Sequence, residues 1–160
     1  MLADEIIKLL NLTPHPEGGY YAETYRSAAV MKNEEGNDRN VCTGIYFLLE
    51  NEAVSHFHRI KSDETWLFHQ GQALEIISIR DGTMQRQILG NNLDKGEFPQ
   101  ITVPANAWFA ARVAGASGYG LVSCIVAPGF DFTDFEMASK TNLLAEYPHL
   151  DSVINELAFD

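Results

Sequence analysis

The sequence predicts an all-β domain, a sandwich or barrel, with short helices at its two ends. Three observations carry this. Between residues 20 and 127, short runs rich in β-branched and aromatic residues follow one another, each stopped by a turn. Asp81-Gly82, between two of those runs, is a strong two-residue hairpin signal. Helical periodicity is confined to the first dozen residues and to the stretch after Pro128-Gly129.

In order, residues 3–12 read as a helix with Ile6, Ile7, Leu9 and Leu10 as its apolar stripe. Asp4 and Glu5 sit in the first turn, where the helix dipole favours acids. Pro14 and Pro16 end it, and Glu17-Gly18-Gly19 is a turn. Residues 20–26 form a strand, and 30–39 a loop or hairpin connection. Strands are expected at 41–50, 54–58, 64–69, 74–80 and 84–89. After a loop over 90–96, more follow at 101–104, 107–113 and 121–127. Residues 139–146 and 151–157 read as short helices separated by Pro148. There is no repeat, linker or low-complexity tract, so residues 1–160 make one domain, and 160 residues can bury a core without disulfides or structural metal.

Composition narrows the function classes. Eleven Lys and Arg stand against 22 Asp and Glu, a formal net charge of -11. Such a surface repels phosphate backbones, which excludes general nucleic-acid binding and docking on anionic membranes. No apolar run reaches the length that spans a bilayer. The N-terminus carries Asp4 and Glu5 and lacks a basic segment, so a cytoplasmic location is expected. Cys42 and Cys124 lie in apolar strands and read as small buried hydrophobes in a reducing compartment, with a metal pair or a disulfide as the other readings.

The chemistry concentrates in residues 55–71. His56 and His58 are two apart, which on a regular strand puts both imidazoles on one face. Glu64 opens the next strand and shares its face with Trp66 and Phe68, so an inward Glu64 has an aromatic floor. His69 falls on the opposite face unless a bulge intervenes. Two histidines and a carboxylate are the facial triad of non-haem iron sites, so His56, His58 and Glu64 are candidate ligands for a divalent iron, manganese, nickel or zinc. The metal-free reading makes His58 a general base oriented by Glu64, with His56 as a further polar contact. The bland reading is a set of polar residues satisfied inside a barrel. Arg26 and Glu23, at odd spacing, are expected on opposite faces, and an inward Arg26 suits a carboxylate or phosphate. Tyr46 and Trp108 are candidate cavity residues, though both also suit a core. The acids Asp134 and Glu136 read as barrel closure or a buried subunit contact rather than as chemistry.

His-x-His, a Glu, six residues and a Gly resemble the first motif of the cupin superfamily, and Pro104 to Phe109 is similar to the second. Three further segments resemble one branch of small single-domain cupins, long known only as a domain of unknown function. They are Pro14-His15-Pro16-Glu17-Gly18-Gly19-Tyr20-Tyr21 with Glu23-Thr24-Tyr25-Arg26, His58-Arg59 with Glu64-Thr65-Trp66, and Ala127-Pro128-Gly129-Phe130 with Asp134-Phe135-Glu136. The resemblance implies a double-stranded β-helix barrel, often dimeric, related in fold to sugar-nucleotide epimerases and plant storage proteins. It implies two His and a Glu from the first motif and a His from the second as metal ligands. Here Phe109 stands at that second-motif His position, Asn106 at its Gly position, and Glu50 replaces the usual Gly ahead of His-x-His. The expectation is a small polar, sugar-like or carboxylate ligand inside the barrel and a metal-independent isomerase or epimerase. A metal-dependent oxygenase or isomerase, or a non-catalytic binding or storage module, are the alternatives. A homodimer is expected.

Overall fold

A computed structural model describes residues 1–160. Helix α1 (Ala3–Leu9) leads through β1 (Thr13–Pro14) into β2 (Tyr20–Arg26). The loop or hairpin connection expected next is a small hairpin, β3 (Val30–Lys32) and β4 (Asp38–Asn40). The barrel strands follow: β5 (Thr43–Glu50), β6 (Val54–Arg59), β7 (Asp63–Gly71), β8 (Leu74–Arg80), β9 (Thr83–Leu89), β10 (Glu97–Phe98), β11 (Gln100–Val103), β12 (Trp108–Val113) and β13 (Tyr119–Ala127). Strand β14 (Glu136–Met137) and helices α2 (Lys140–Glu146) and α3 (Asp151–Leu157) close the chain. No helix is long and apolar enough to cross a membrane.

The strands form two six-stranded sheets, β1-β2-β5-β13-β7-β11 and β10-β9-β8-β12-β6-β14. Alternation along each strand divides the side chains. Phe47 and Leu49 of β5, Trp66 of β7, Phe109 and Ala111 of β12, and Val122 and Cys124 of β13 turn inward and form the core between the sheets. The outward set forms two further layers. Leu48 and Leu121 pack under α1 with Ile6 and Leu12. Phe57, Ile77, Ile79 and Trp108 pack under α2 and α3 with Leu143, Val153, Ile154 and Leu157. The terminal helices therefore sit outside the barrel, as their one-sided apolar stripes require.

Three irregularities break the two-residue period, and each bears on the site. Between β2 and β5, Glu23 pairs with Ile45 but Tyr25 with Gly44, so Thr24 is an extra residue. Between β6 and β12, Ser55 pairs with Ala111 but His58 with Phe109, so β6 carries one residue too many around His56–Phe57. Between β7 and β13, Phe68 pairs with Val122 and Gln70 with Leu121, which bulges His69. A bulge of this kind flips the facing of everything beyond it.

Candidate active site

One end of the space between the sheets stays open as a cavity of about 470 Å³. Such a volume falls in the range of small-molecule sites. His58 of β6 and Glu64 of β7 face it, together with His15 and Glu17 from the turn that precedes β2. Tyr21, Glu23 and Arg26 of β2 and Thr43 of β5 line it further out, and Phe130, Asp131, Phe132 and Phe135 wall its mouth.

Glu17 reaches the barrel because of two glycines. Gly18 has φ +108°, and a Cβ there would stand 2.0 Å from the Val54 carbonyl oxygen. Gly19 has φ +77°, and its Cβ would crowd Leu49 and the Leu48 carbonyl. Only glycine lets the turn lie flat across the gap between the two sheets. The Glu17 carbonyl then accepts the backbone N–H of His56, and the Glu17 side chain drops inward beside His58.

There the protons can be assigned from partners. His58 Nδ1 lies 2.7 Å from the His56 carbonyl oxygen, which can only accept, so Nδ1 carries a proton. Nε2 lies 2.9 Å from Glu17 Oε2. The other carboxyl oxygen, Oε1, accepts the Ser55 hydroxyl at 2.9 Å. Burial works against both charges, yet each partner outweighs it. The Glu17 carboxylate raises His58 above its ordinary value, and His58, with the hydrogen bonds of His58 and Ser55, holds Glu17 below the usual carboxylate range. The pair is an imidazolium and a carboxylate. His15 is different: its Nδ1 accepts the backbone N–H of Glu17 at 3.2 Å, and burial lowers its pKa. It is therefore neutral, with its proton on Nε2, and its 3.5 Å approach to Glu17 is no ion pair.

Glu64 is 8% exposed. Burial and the nearby charge of Glu17 push its carboxyl up to about 7, while the His58 charge and the neighbouring Cys124 thiol restrain the rise. Burial, then Glu64 and Glu17, hold the Cys124 thiol well above its ordinary value. Both cysteines are free, Cys124 buried and Cys42 half-buried.

Several expectations are corrected by these facts. His56 does not share a face with His58, because the β6 bulge intervenes. Its ring stacks on Phe159 at 3.6 Å and its Nδ1 donates to the Glu17 carbonyl at 2.8 Å. The partner of His58 is Glu17, not Glu64, and both His58 nitrogens are engaged, so His58 is a fixed charge rather than a free base. The proposed triad of His56, His58 and Glu64 does not converge, and no three His, Cys, Asp or Glu side chains are arranged to hold a metal ion. The donor set does not fit a metal centre, and Phe109 packs against His58 at 4.1 Å between ring centroids.

Arg26 and Glu23 share a face after all, because Thr24 is bulged. Arg26 Nε and Nη2 donate to Glu23, and Nη1 to Asn40 and the Phe130 carbonyl, so its fork is not open to an anion. Tyr46 lies outside the barrel with the α1 layer. Trp108 lies under α2 and α3, with the Arg59 guanidinium 4.2 Å above its ring. Trp66 and Phe68 face inward as expected, but Trp66 is core, edge-on to Phe47, and Phe68 borders a shallow groove at the opposite end. The bulged His69 stays on the outer face, against Ser123.

His15 and Glu17 have no assigned role in the sequence, and Phe130 and Phe132 belong to a segment expected to close the barrel or bury at a subunit contact rather than to wall a cavity. The available signal was the Gly18-Gly19 pair directly after a His-x-Glu. That segment is pinned by hydrogen bonds from Phe130 N to Thr43 and from Arg26 to the Phe130 carbonyl. A two-pronged contact of Arg39 on Asp134, 2.7 Å for each prong, fixes it further.

Comparison with known proteins agrees with this architecture. Residues 4–138 match the model of a family described as Cupin superfamily (DUF985). A hypothetical protein from Leishmania major has a solved structure with TM-score 0.95 and 43% identity, all of both chains being covered. A protein from Shewanella oneidensis gives 0.92 and 42%, over 99% of this chain and 98% of that one. An uncharacterized protein of Saccharomyces cerevisiae is 30% identical over 144 residues, 81% of this chain and 72% of its own. Oxalate decarboxylase from Bacillus subtilis, at 12% identity and TM-score 0.56 over 90% of this chain and 36% of that one, shares the fold alone.

Proposed function

Because this chain belongs to the DUF985 family of the cupin superfamily, a fold that hosts enzymes, sensors and storage proteins alike, we propose a function from the cavity itself. It binds a small polar molecule inside the barrel and moves a proton on it without a metal, as an isomerase or epimerase does. The observation that carries this is Glu64, a cavity-facing carboxyl held near neutrality beside an ion pair that has no free valence. A general acid–base group works best when its pKa lies near the working pH.

The chemistry is simple to write. The Glu64 carboxylate takes a proton from a carbon next to a carbonyl, and the C–H electron pair moves onto the carbonyl oxygen. The neutral His15, with its proton on Nε2, is the donor within the cavity suited to that oxygen. Glu64 then returns the proton to the same carbon, or, where that carbon bears a hydroxyl, to the former carbonyl carbon as the hydroxyl proton passes to the former carbonyl oxygen and the new carbonyl forms. The His58–Glu17 pair sets the field in which Glu64 titrates, and the aromatic wall excludes water.

The test is a screen of neutral sugars, sugar nucleotides, amino sugars and keto acids for binding and turnover, with wild type, Glu64→Gln and His58→Ala. The expected result is a ligand whose deuterium at one carbon washes out in wild type and persists in Glu64→Gln. Failure of every class to bind or exchange overturns the reading.

A further inference from the structure

We infer that the molecule this cavity takes carries a positively charged nitrogen, with Glu64 as its counter-ion and the aromatic wall as its second contact. This rests on the reading of the cavity as a ligand site, and it follows from which groups there still have a bond to offer.

The cations offer an anion no open pair of donors. Arg26 spends four of its five N–H bonds on Glu23, Asn40 and the Phe130 carbonyl. His58 spends both nitrogens on Glu17 and the His56 carbonyl. Against these two cations stand four acids, Glu17, Glu23, Glu64 and Asp131. Glu17 is occupied by His58 and Ser55, Glu23 by Arg26, and Asp131 by the backbone and hydroxyl of Thr133. Glu64 alone meets nothing stronger than a thiol. A bound carboxylate or phosphate would enter a site with an excess of negative charge and no open fork, whereas an ammonium would find an unpaired carboxyl in a poorly solvated place.

The wall favours the same ligand. Phe130, Phe132 and Phe135 stand 4.8 to 6.3 Å apart, centroid to centroid, and His15 joins them at 5.8 and 6.1 Å. Phe132 keeps 51% of its surface exposed although it is large and apolar. Aromatic faces attract cations through the ring quadrupole, most strongly where water is thinned out. A neutral sugar can also stack there, so the proton on Glu64 is what separates the two. A cation beside Glu64 favours its carboxylate, and binding near pH 7 expels the proton. A neutral hydroxyl leaves it in place, and an anion draws one in.

The experiment is calorimetric titration at pH 7 in two buffers of different ionisation enthalpy, using three probes of one shape: cyclohexylammonium, cyclohexanol and cyclohexanecarboxylate. In wild type the ammonium is expected to bind about tenfold tighter than the alcohol, with release of about half a proton, and the carboxylate most weakly. Glu64→Gln should abolish the proton release and most of the preference. Phe132→Ala, which alters an exposed ring, should weaken the ammonium several-fold while leaving the release intact. Equal or tighter binding of the alcohol or carboxylate, or proton uptake with the ammonium, overturns the cationic ligand and leaves the cavity reading standing. No binding of any probe to folded wild type, together with a blank metabolite screen, overturns both.

Discussion

Replacing Glu64 by Gln should make the protein's stability less dependent on pH, by an amount the structure sets. A carboxyl held at about 7 in the fold but near 4.5 when unfolded keeps its proton in the native state over a window where the unfolded chain has lost it. The native state then binds more protons, so stability falls as pH rises from 4.5 through 7. Carrying those two values through the linkage relation gives a loss of roughly 2.5 kcal/mol between pH 5 and pH 8 from this one group. His58, whose folded value is raised, also loses its contribution as pH rises through that value, but it does so in both proteins. Glu17, whose folded value is lowered, loses its contribution only as pH falls below 4.5, outside the range used. Gln cannot titrate, so any constant cost of its amide shifts the whole curve and leaves the slope. Urea unfolding at pH 5, 6, 7 and 8, followed by tryptophan fluorescence, should give curves that diverge by that amount, wild type falling the more steeply. Parallel curves would refute the assignment of the near-neutral proton to Glu64.

Four further outcomes follow from the same geometry. Glu17→Ala strands the buried His58 charge and should cost about 3–5 kcal/mol by urea unfolding, with Glu17→Gln milder because an acceptor for Ser55 remains. Gly18→Ala puts a methyl 2.0 Å from the Val54 carbonyl, so the turn must move; thermal melting should show destabilisation, and ligand binding should fall with the displacement of Glu17. Trp108→Ala should cost about 3–5 kcal/mol, as for a buried aromatic, yet leave cavity affinity unchanged in a binding titration. Phe109→His restores the imidazole of the second motif, and mass spectrometry should still find no stoichiometric metal, because His56 faces Phe159.

The barrel was legible because its strands carry their facing in their composition. In β12 the order Trp108-Phe109-Ala110-Ala111 alternates outer and inner cores, and the strand paired at Leu74–Arg80 needs only Asp81-Gly82 to turn. The site was legible only in part. The cupin resemblance singles out His58 and Glu64 as candidates, and both face the cavity. The facing of His56 and Arg26 was read from a period of two, and in both strands a bulge lies beside the residue in question. A bulge is set by how two sheets must bend to close, a tertiary demand that leaves little trace in the local residues. Glu17 was hidden for a related reason. It is brought to His58 by a turn crossing between sheets, and nothing local to Glu17 names the strand it will meet.

That crossing also explains why the metal pattern fails here as a unit. A facial triad needs three lone pairs aimed at one point from neutral imidazoles and a carboxylate. Glu17 instead supplies a negative charge 2.9 Å from His58 Nε2, which keeps a proton on the nitrogen that a metal would need. The His56 carbonyl holds the other proton. With His58 locked as a cation, a second-motif imidazole beside it would add repulsion or an unpaired polar group, and an apolar ring is the better neighbour. Phe109, at 4.1 Å, is that ring. The bulge that turns His56 outward, the glycines that admit Glu17 and the phenyl ring at 109 are thus one substitution, an internal ion pair in place of an ion. Its by-product is a second carboxyl, Glu64, left without a strong partner and poised near neutrality in a cavity where a ligand can reach it.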